Sequence, residues 1–454
     1  MTQTTLLKSE DSVDIGALAR DATVALILQV SGDALTYLLQ FALIWWMGVS
    51  EYGVYSYAIS WSSLLGIFAA LGLPHAVLRF VSEYKVQKNW GLLRGVIWGS
   101  WRLTFISGCV FCLVGTAVVF IIRQYYESQY ITPVLIGIWA VLLQALSQLQ
   151  LESSRALGDI KLAFAPSRIL WPVLILVGGF FLFGKNHFFN SLTAITWATL
   201  MLLGVVCLQL WLLRRKLNQT VEPATPIYTY GDWLKLALPL LFQSAFIVIL
   251  FRIDILMIGS LVSPEAAGVY SAASNTAVWV AFCLQIINIV AAPAFATLHA
   301  QGDRQGLQTV VSNTSLWVLW PSLIIAAILI IFSRPILAMF GPEFVAAEWV
   351  LKTLVIGELI NVLFGPVSFL LGMTGHQNKS AMVFGFSALI NLILNPIGIM
   401  FFGILGSAMA TVFSMFVWKV WLSILAKKNV GVHSWALYGL FNLEEKRNQE
   451  KHAP

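Results

Sequence analysis

The sequence predicts an all-α polytopic membrane protein of about twelve transmembrane helices in two six-helix lobes. Its 454 residues are 59% hydrophobic and only 11% charged, with a mean hydropathy of +0.82. Soluble domains are roughly a quarter charged, so a globule of this composition could not cover itself with polar surface. Apolar runs of about 20 residues, the length that crosses a hydrocarbon layer at 1.5 Å per residue, recur along the chain. Lysine and arginine sort to one side of those runs. The net charge of +6 then reads as basic loops facing anionic lipid rather than as a nucleic-acid surface, and no nucleic-acid partner is expected.

The expected spans are 22–47, 55–75, 97–121, 133–153, 163–183, 191–213, 236–260, 270–295, 309–332, 350–370, 381–401 and 404–425. Residues 1–21 form a polar leader carrying Glu10, Asp11 and Asp14, without the apolar stretch of a cleavable signal, so span 1 is expected to be retained. Residues 22–213 make an N-lobe and 236–425 a C-lobe. Between them, 214–235 opens with Arg214-Arg215-Lys216 and contains Pro223 and Pro226, which reads as a linker. Residues 426–454 form a tail. With both termini cytoplasmic, twenty Lys/Arg fall inside. Only Arg123, Lys185, Arg334 and Lys352 fall outside, and Arg102, Arg252 and Lys419 lie within spans. That asymmetry supports the expected orientation and the even span count.

The halves echo each other. Gly53-Val54-Tyr55-Ser56 follows span 1, and Gly268-Val269-Tyr270-Ser271 follows span 7. Six spans per half means the repeats enter the membrane in the same direction, so an axis along the membrane normal should relate them. Cys109, Cys112, Cys207 and Cys283 all sit in apolar runs, where the thiolate needed for metal or redox work is disfavoured. No metal site, no organic cofactor and no ATP-binding loop is expected; a coupling ion, H+ or Na+, is the one small species the reading admits.

A charged side chain at a helix centre costs about 2.5–3.5 kcal/mol on insertion scales, so polar residues within spans are expected to face protein or water. Span 1 places Gln29, Asp33, Thr36 and Gln40 on one helical stripe, with Gly32 beside Asp33 to admit a close neighbour. Span 7 carries Arg252 and Asp254, which point to different faces and need partners on other helices; Asp33 is the natural candidate. Gln144, Gln148 and Glu152 share a face of span 4, Glu358 and Asn361 a face of span 10, and Ser387, Asn391 and Asn395 a face of span 11. Together these stripes imply a hydrated central cleft. Arg102 and Lys419 are expected to snorkel to the interface. Pro172, Pro239, Pro293 and Pro396 interrupt helical ladders.

Gly48-x-x-Glu51-Tyr52-Gly53-Val54-Tyr55, Leu71-Gly72-Leu73-Pro74-His75-Ala76-Val77-Leu78-Arg79-Phe80, Arg252-Ile253-Asp254 and Phe340-Gly341-Pro342-Glu343-Phe344 together resemble the polysaccharide-transporter branch of the multidrug/oligosaccharidyl-lipid/polysaccharide (MOP) exporter superfamily. The resemblance spans the chain and implies a V of two six-helix lobes working by alternating access. It implies a non-enzymatic O-antigen-type flippase of the bacterial inner membrane, moving isoprenoid-pyrophosphate-linked oligosaccharide. Membrane lipids and other polysaccharide-assembly proteins are then the expected partners. A pyrophosphate calls for cations, and Arg252 in the core with Arg79, Arg155 and Arg168 at the cytoplasmic mouth are the candidates. The competing readings are a cation-coupled multidrug antiporter of the same superfamily, using Asp33, and a membrane-embedded glycosyltransferase or polymerase. The short outer loops speak against the latter.

Overall fold

The computed structural model describes residues 15–125, 129–186, 189–436 and 438, and every regular element among them is helical. Among the described residues nine helices are long and apolar enough to cross a membrane, and the bent pair Pro342–Leu363 and Val367–Met373 makes a tenth segment. Two of these segments are each a pair of spans. Ile15–Ala69 breaks at Gly48 (φ 77°, ψ 177°) and Gln377–Asn429 at Gly403 (φ 59°, ψ −141°). Only glycine takes a positive φ without strain, so each lets the chain reverse with almost no loop. Twelve spans result among the described residues.

They are α1 (15–47), α2 (49–69), α3 (Trp90–Tyr125), α4 (Ile131–Ala156), α5 (160–186), α6 (Ser191–Thr220), α7 (Tyr230–Leu261), α8 (264–300), α9 (Arg304–Ile331), α10 (348–373), α11 (377–402) and α12 (404–429). Three are irregular. In α5 a π segment, Ala165–Leu170, separates two α-helical pieces. Pro172 follows it and has no N–H to offer the Arg168 carbonyl, so the ladder is rewound locally. A 3-10 turn, Val278–Ala281, divides α8, and α10 bends by 40° around Gly365, which has φ 62°. Prolines 239, 293, 321 and 396 lie inside α7, α8, α9 and α11.

The linker is shorter than the expected 214–235. Arg214-Arg215-Lys216 are good helix formers, and α6 continues through them to Thr220; Pro223 lies just beyond its end, and α7 starts at Tyr230. The segment between lies across α3, where Gly91 O accepts from Ile227 N at 3.0 Å. Arg94 donates to the carbonyls of Val221 at 2.9 Å and Glu222 at 3.1 Å. Gly95 leaves room for the Ile227 carbonyl, which a methyl there would overlap.

The two halves meet where α1 and α2 pack against α7 and α8. At the end that carries Gly48, residues one repeat apart touch one another. Ser56 Oγ donates to Ser271 Oγ at 3.1 Å. The Gly53 and Gly268 backbones are so close that a methyl on either would overlap the other half's main chain. Equivalent residues can meet this way only on the axis that relates the repeats. Tyr37 reinforces this end through Thr276 at 3.3 Å and the Trp279 ring at 5.6 Å. Tyr57 reaches Ser260 at 2.9 Å and Tyr130 the Gly259 carbonyl at 2.9 Å. Toward the linker end α2 and α7 stay together, at Gly72 against Ala237 and His75 against Ser244 at 3.3 Å. Between Val24 and Thr36, however, α1 makes no hydrogen bond or ring contact to α8 among the described residues.

Candidate functional site

Polar groups within the spans gather into separate clusters rather than converging on one point. On the α1 stripe, Asp33 accepts from Gln29 Nε2 at 3.1 and 3.2 Å and pairs with Arg168 of the π segment at 3.5 Å. The sequence dictates this meeting at Gly32. A Cβ there would lie 2.8 Å from Arg168 Cβ, so glycine is what lets α5 approach. The pair is open, with side-chain exposures of 26% for Asp33 and 42% for Arg168. Arg252 is therefore not the partner of Asp33, contrary to the sequence expectation, because α5 of the same half reaches it first.

Asp254 is not its partner either. It lies 4% exposed inside the second half and accepts from Tyr270 Oη at 2.6 Å, Thr411 Oγ1 at 2.7 Å and Asn395 Nδ2. Ser407 donates to Asn395 Oδ1 at 2.7 Å, and Asn391 to Thr411 at 3.2 Å. Small residues draw these helices together: a methyl on Gly398 of α11 or Gly406 of α12 would overlap the other's backbone. The buried Asn391 Oδ1 has no donor among the described residues. Tyr270, Thr411 and Ser407 were absent from the sequence reading of this site. The 16-residue gap from Asn391/Asn395 to Ser407/Thr411, with its glycines, was the available signal.

Glu358 is buried and accepts from Asn361 Nδ2 at 3.0 Å. Lys419 does not snorkel. It is 3% exposed, faces the Gly365 carbonyl at 3.5 Å where α10 bends, and lies 4.7 Å from the centre of the Trp418 ring. A cation deep in α12 is held by a broken helix, whose carbonyls have lost their own donors.

On α4, Gln144 is half-buried, Gln148 exposed and Glu152 buried, so the stripe is not uniformly inward. Glu152 pairs with Arg155 at 2.9 Å. Arg79 is exposed on the continuation of α2, Leu73–Val86. Arg252 makes no hydrogen bond or ion pair among the described residues and lies within electrostatic reach of Tyr52 across the seam. The repeat offset relates it to Tyr37, the residue with which α1 holds α8. Arg102 stands over the Tyr228 ring at 5.3 Å, at the linker end of α3.

Twelve spans in two matching halves, closed on each other at one end, define a multi-pass membrane protein of the two-bundle transporter fold. Residues 18–299 match the family described as Polysaccharide biosynthesis protein, and residues 239–397 match MatE. The chain belongs to the polysaccharide biosynthesis protein family, in the polysaccharide branch of the MOP superfamily. It is 30% identical over 170 residues to a Haloferax volcanii protein described as "Probable low-salt glycan biosynthesis flippase Agl15"; the match covers 36% of this chain and about a third (34%) of that relative. Its fold is shared with an inward-facing MATE multidrug transporter of the MOP superfamily (TM-score 0.69, 13% identity, 94% of this chain and 99% of that one). It is shared as well with lipid II flippase MurJ in an inward closed conformation (TM-score 0.69, 15% identity, 89% and 87%).

Proposed function

We propose that the protein flips a lipid-linked oligosaccharide or polysaccharide precursor across the inner membrane by alternating access, with both termini cytoplasmic. The observation that carries this reading is the uneven seam. The halves close on their symmetry axis at Gly53/Gly268, yet between Val24 and Thr36 α1 makes no hydrogen bond or ring contact to α8 among the described residues. A cargo with a polar head and a long lipid tail has to enter between the halves, and a seam fastened by polar and aromatic contacts chiefly at its Gly48 end can part at the other. The described glycan flippase and MurJ support the substrate class.

Roles follow from the clusters. Arg168, held only loosely by Asp33, receives the pyrophosphate together with Arg252 and Arg79, which have no ion-pair partner among the described residues, and Arg155 is a further cation at the mouth. Gln29, Gln144 and Gln148 offer hydrogen bonds to sugar hydroxyls. Asp254 with Asn391 is the seat for a coupling ion, a proton on the carboxylate or Na+ among the oxygens of Asp254, Asn391 and Thr411. Glu358, Asn361 and Lys419 form a second charged element that shifts with the bend of α10.

The MatE match over 239–397 favours a second reading, a cation-coupled exporter of small molecules. Deleting the gene separates the two. Loss of surface polysaccharide with unchanged drug tolerance is expected; drug sensitivity with intact polysaccharide would replace the first reading by the second.

A further inference from the structure

Outside the seam, at the linker end of the first half, the structure holds a groove of about 380 Å³ lined by Trp98, Trp101 and Arg102 of α3, Leu210 and Arg214 of α6, and the linker's Pro226 and Tyr228. Both α3 and α6 pack on α4, which leaves this groove open sideways to lipid. Two guanidinium groups reach it. Arg102 lies over Tyr228 at 5.3 Å and Arg214 over Trp98 at 5.1 Å. Neither makes a hydrogen bond or ion pair among the described residues. A guanidinium held over an aromatic ring by cation–π attraction makes no use of its N–H donors there and keeps them for a phosphate.

Depth decides which phosphate. Arg102 and Arg123 bracket twenty residues without a charge on α3, 103–122, and Arg214 ends a similar run, 191–213, on α6. Twenty residues rise about 30 Å, the thickness of the hydrocarbon layer. Both arginines therefore stand where the hydrocarbon gives way to lipid head groups, ringed by tryptophan and tyrosine as residues at that boundary are. From them an exposed apolar track leads toward mid-membrane past Phe105 on α3 and Leu203 on α6, 41% and 46% exposed.

We infer that this groove is a binding site for one anionic phospholipid of the linker-side leaflet. Its phosphate sits between Arg102 and Arg214, and an acyl chain lies along α3 and α6. Because Pro226 and Tyr228 form one wall, the lipid fastens the linker between the halves to the first half. This site is distinct from the path of the transported cargo and does not depend on the cargo's identity.

Native mass spectrometry of the delipidated full-length protein, titrated with dioleoyl phosphatidylglycerol or dioleoyl phosphatidylcholine, tests it. Wild type should retain one more phosphatidylglycerol than phosphatidylcholine at equal concentration. The R102Q/R214Q protein should lose that extra lipid, with about thirty-fold weaker binding. R215Q, which removes a neighbouring arginine that lies 6.0 Å from the Trp211 ring centre outside the groove, should bind as wild type does. Gel filtration and melting without added lipid, unchanged in the double variant, show that it is folded; a double variant that does not fold is replaced by R102K/R214K, expected to keep the lipid preference at lower affinity. Equal adducts in wild type and folded variants, equal retention of both lipids, or displacement of phosphatidylglycerol by an equal concentration of farnesyl pyrophosphate would each overturn the assignment.

Discussion

In the second half of the molecule the Asp254 carboxylate takes three side-chain donors in a space only 4% exposed, whereas in the first half Asp33 meets Arg168 at 3.5 Å with both groups partly open. Charge-assisted hydrogen bonds usually close to about 2.7–2.9 Å. The first carboxylate is thus locked into its surroundings and the second is loosely paired. An arginine held at long range beside open space can be handed to an incoming anion at little cost. A carboxylate encased by hydroxyls and amides can lose its partners only when its helices move. The halves share a fold through their repeat, yet the first leaves its Asp33–Arg168 pair open while the second encloses Asp254.

The strongest test is whether the halves must part at all. Cysteines replacing Ser56 and Ser271, in a chain freed of its four native thiols, stand where two Oγ atoms are 3.1 Å apart. Oxidation should join them and stop transport outright, and a reductant should restore it. Transport that continues through a complete cross-link would show that this end never opens.

Next in size is Asp254→Ala. It strands the Tyr270, Asn395 and Thr411 donors in a closed space, and breaking a buried charged network costs about 3–5 kcal/mol. A large fall in melting temperature in detergent is expected. Asp33→Asn should behave in the opposite way. The open pair contributes under about 1 kcal/mol to stability, so melting should barely change while transport falls about ten-fold, equivalent to about 1.4 kcal/mol. Equal melting losses in the two variants would erase the distinction between the halves.

Much of the fold was legible because its causes are local. Length and hydropathy set the helices, and the Gly-Val-Tyr-Ser repeat marked the residues that meet on the axis. The turns at Gly48 and Gly403 were legible only as glycines. The partners of the charges were not legible, because a helical stripe says which way a residue points and not which helix waits there. Asp33 was expected to look across to the other half; Gly32 brings α5 of its own half nearer. Lys419 was expected to snorkel, since nothing in its own helix shows that Gly365 breaks α10 beside it. Linker length erred for a simpler reason: three basic residues end a hydrophobic run without ending a helix.

The smallest effect asked for concerns the other stored charges. Glu358 and Lys419 face one another's helices but do not close to an ion pair within 4 Å among the described residues, and each has its own partner, Asn361 or the Gly365 carbonyl. Removing either charge alone leaves the other uncompensated in the low-dielectric interior, so Glu358→Gln and Lys419→Met should each destabilise. Removing both should recover part of the loss, with an interaction energy of about 0.5–3 kcal/mol in a double-mutant melting cycle. Strict additivity would mean that the two charges do not sense each other, and that the second half stores its charge at Asp254 alone. If the coupling appears in melting but not in transport, the pair braces the bend of α10 and takes no part in the cycle; coupling in both makes the bend a moving part.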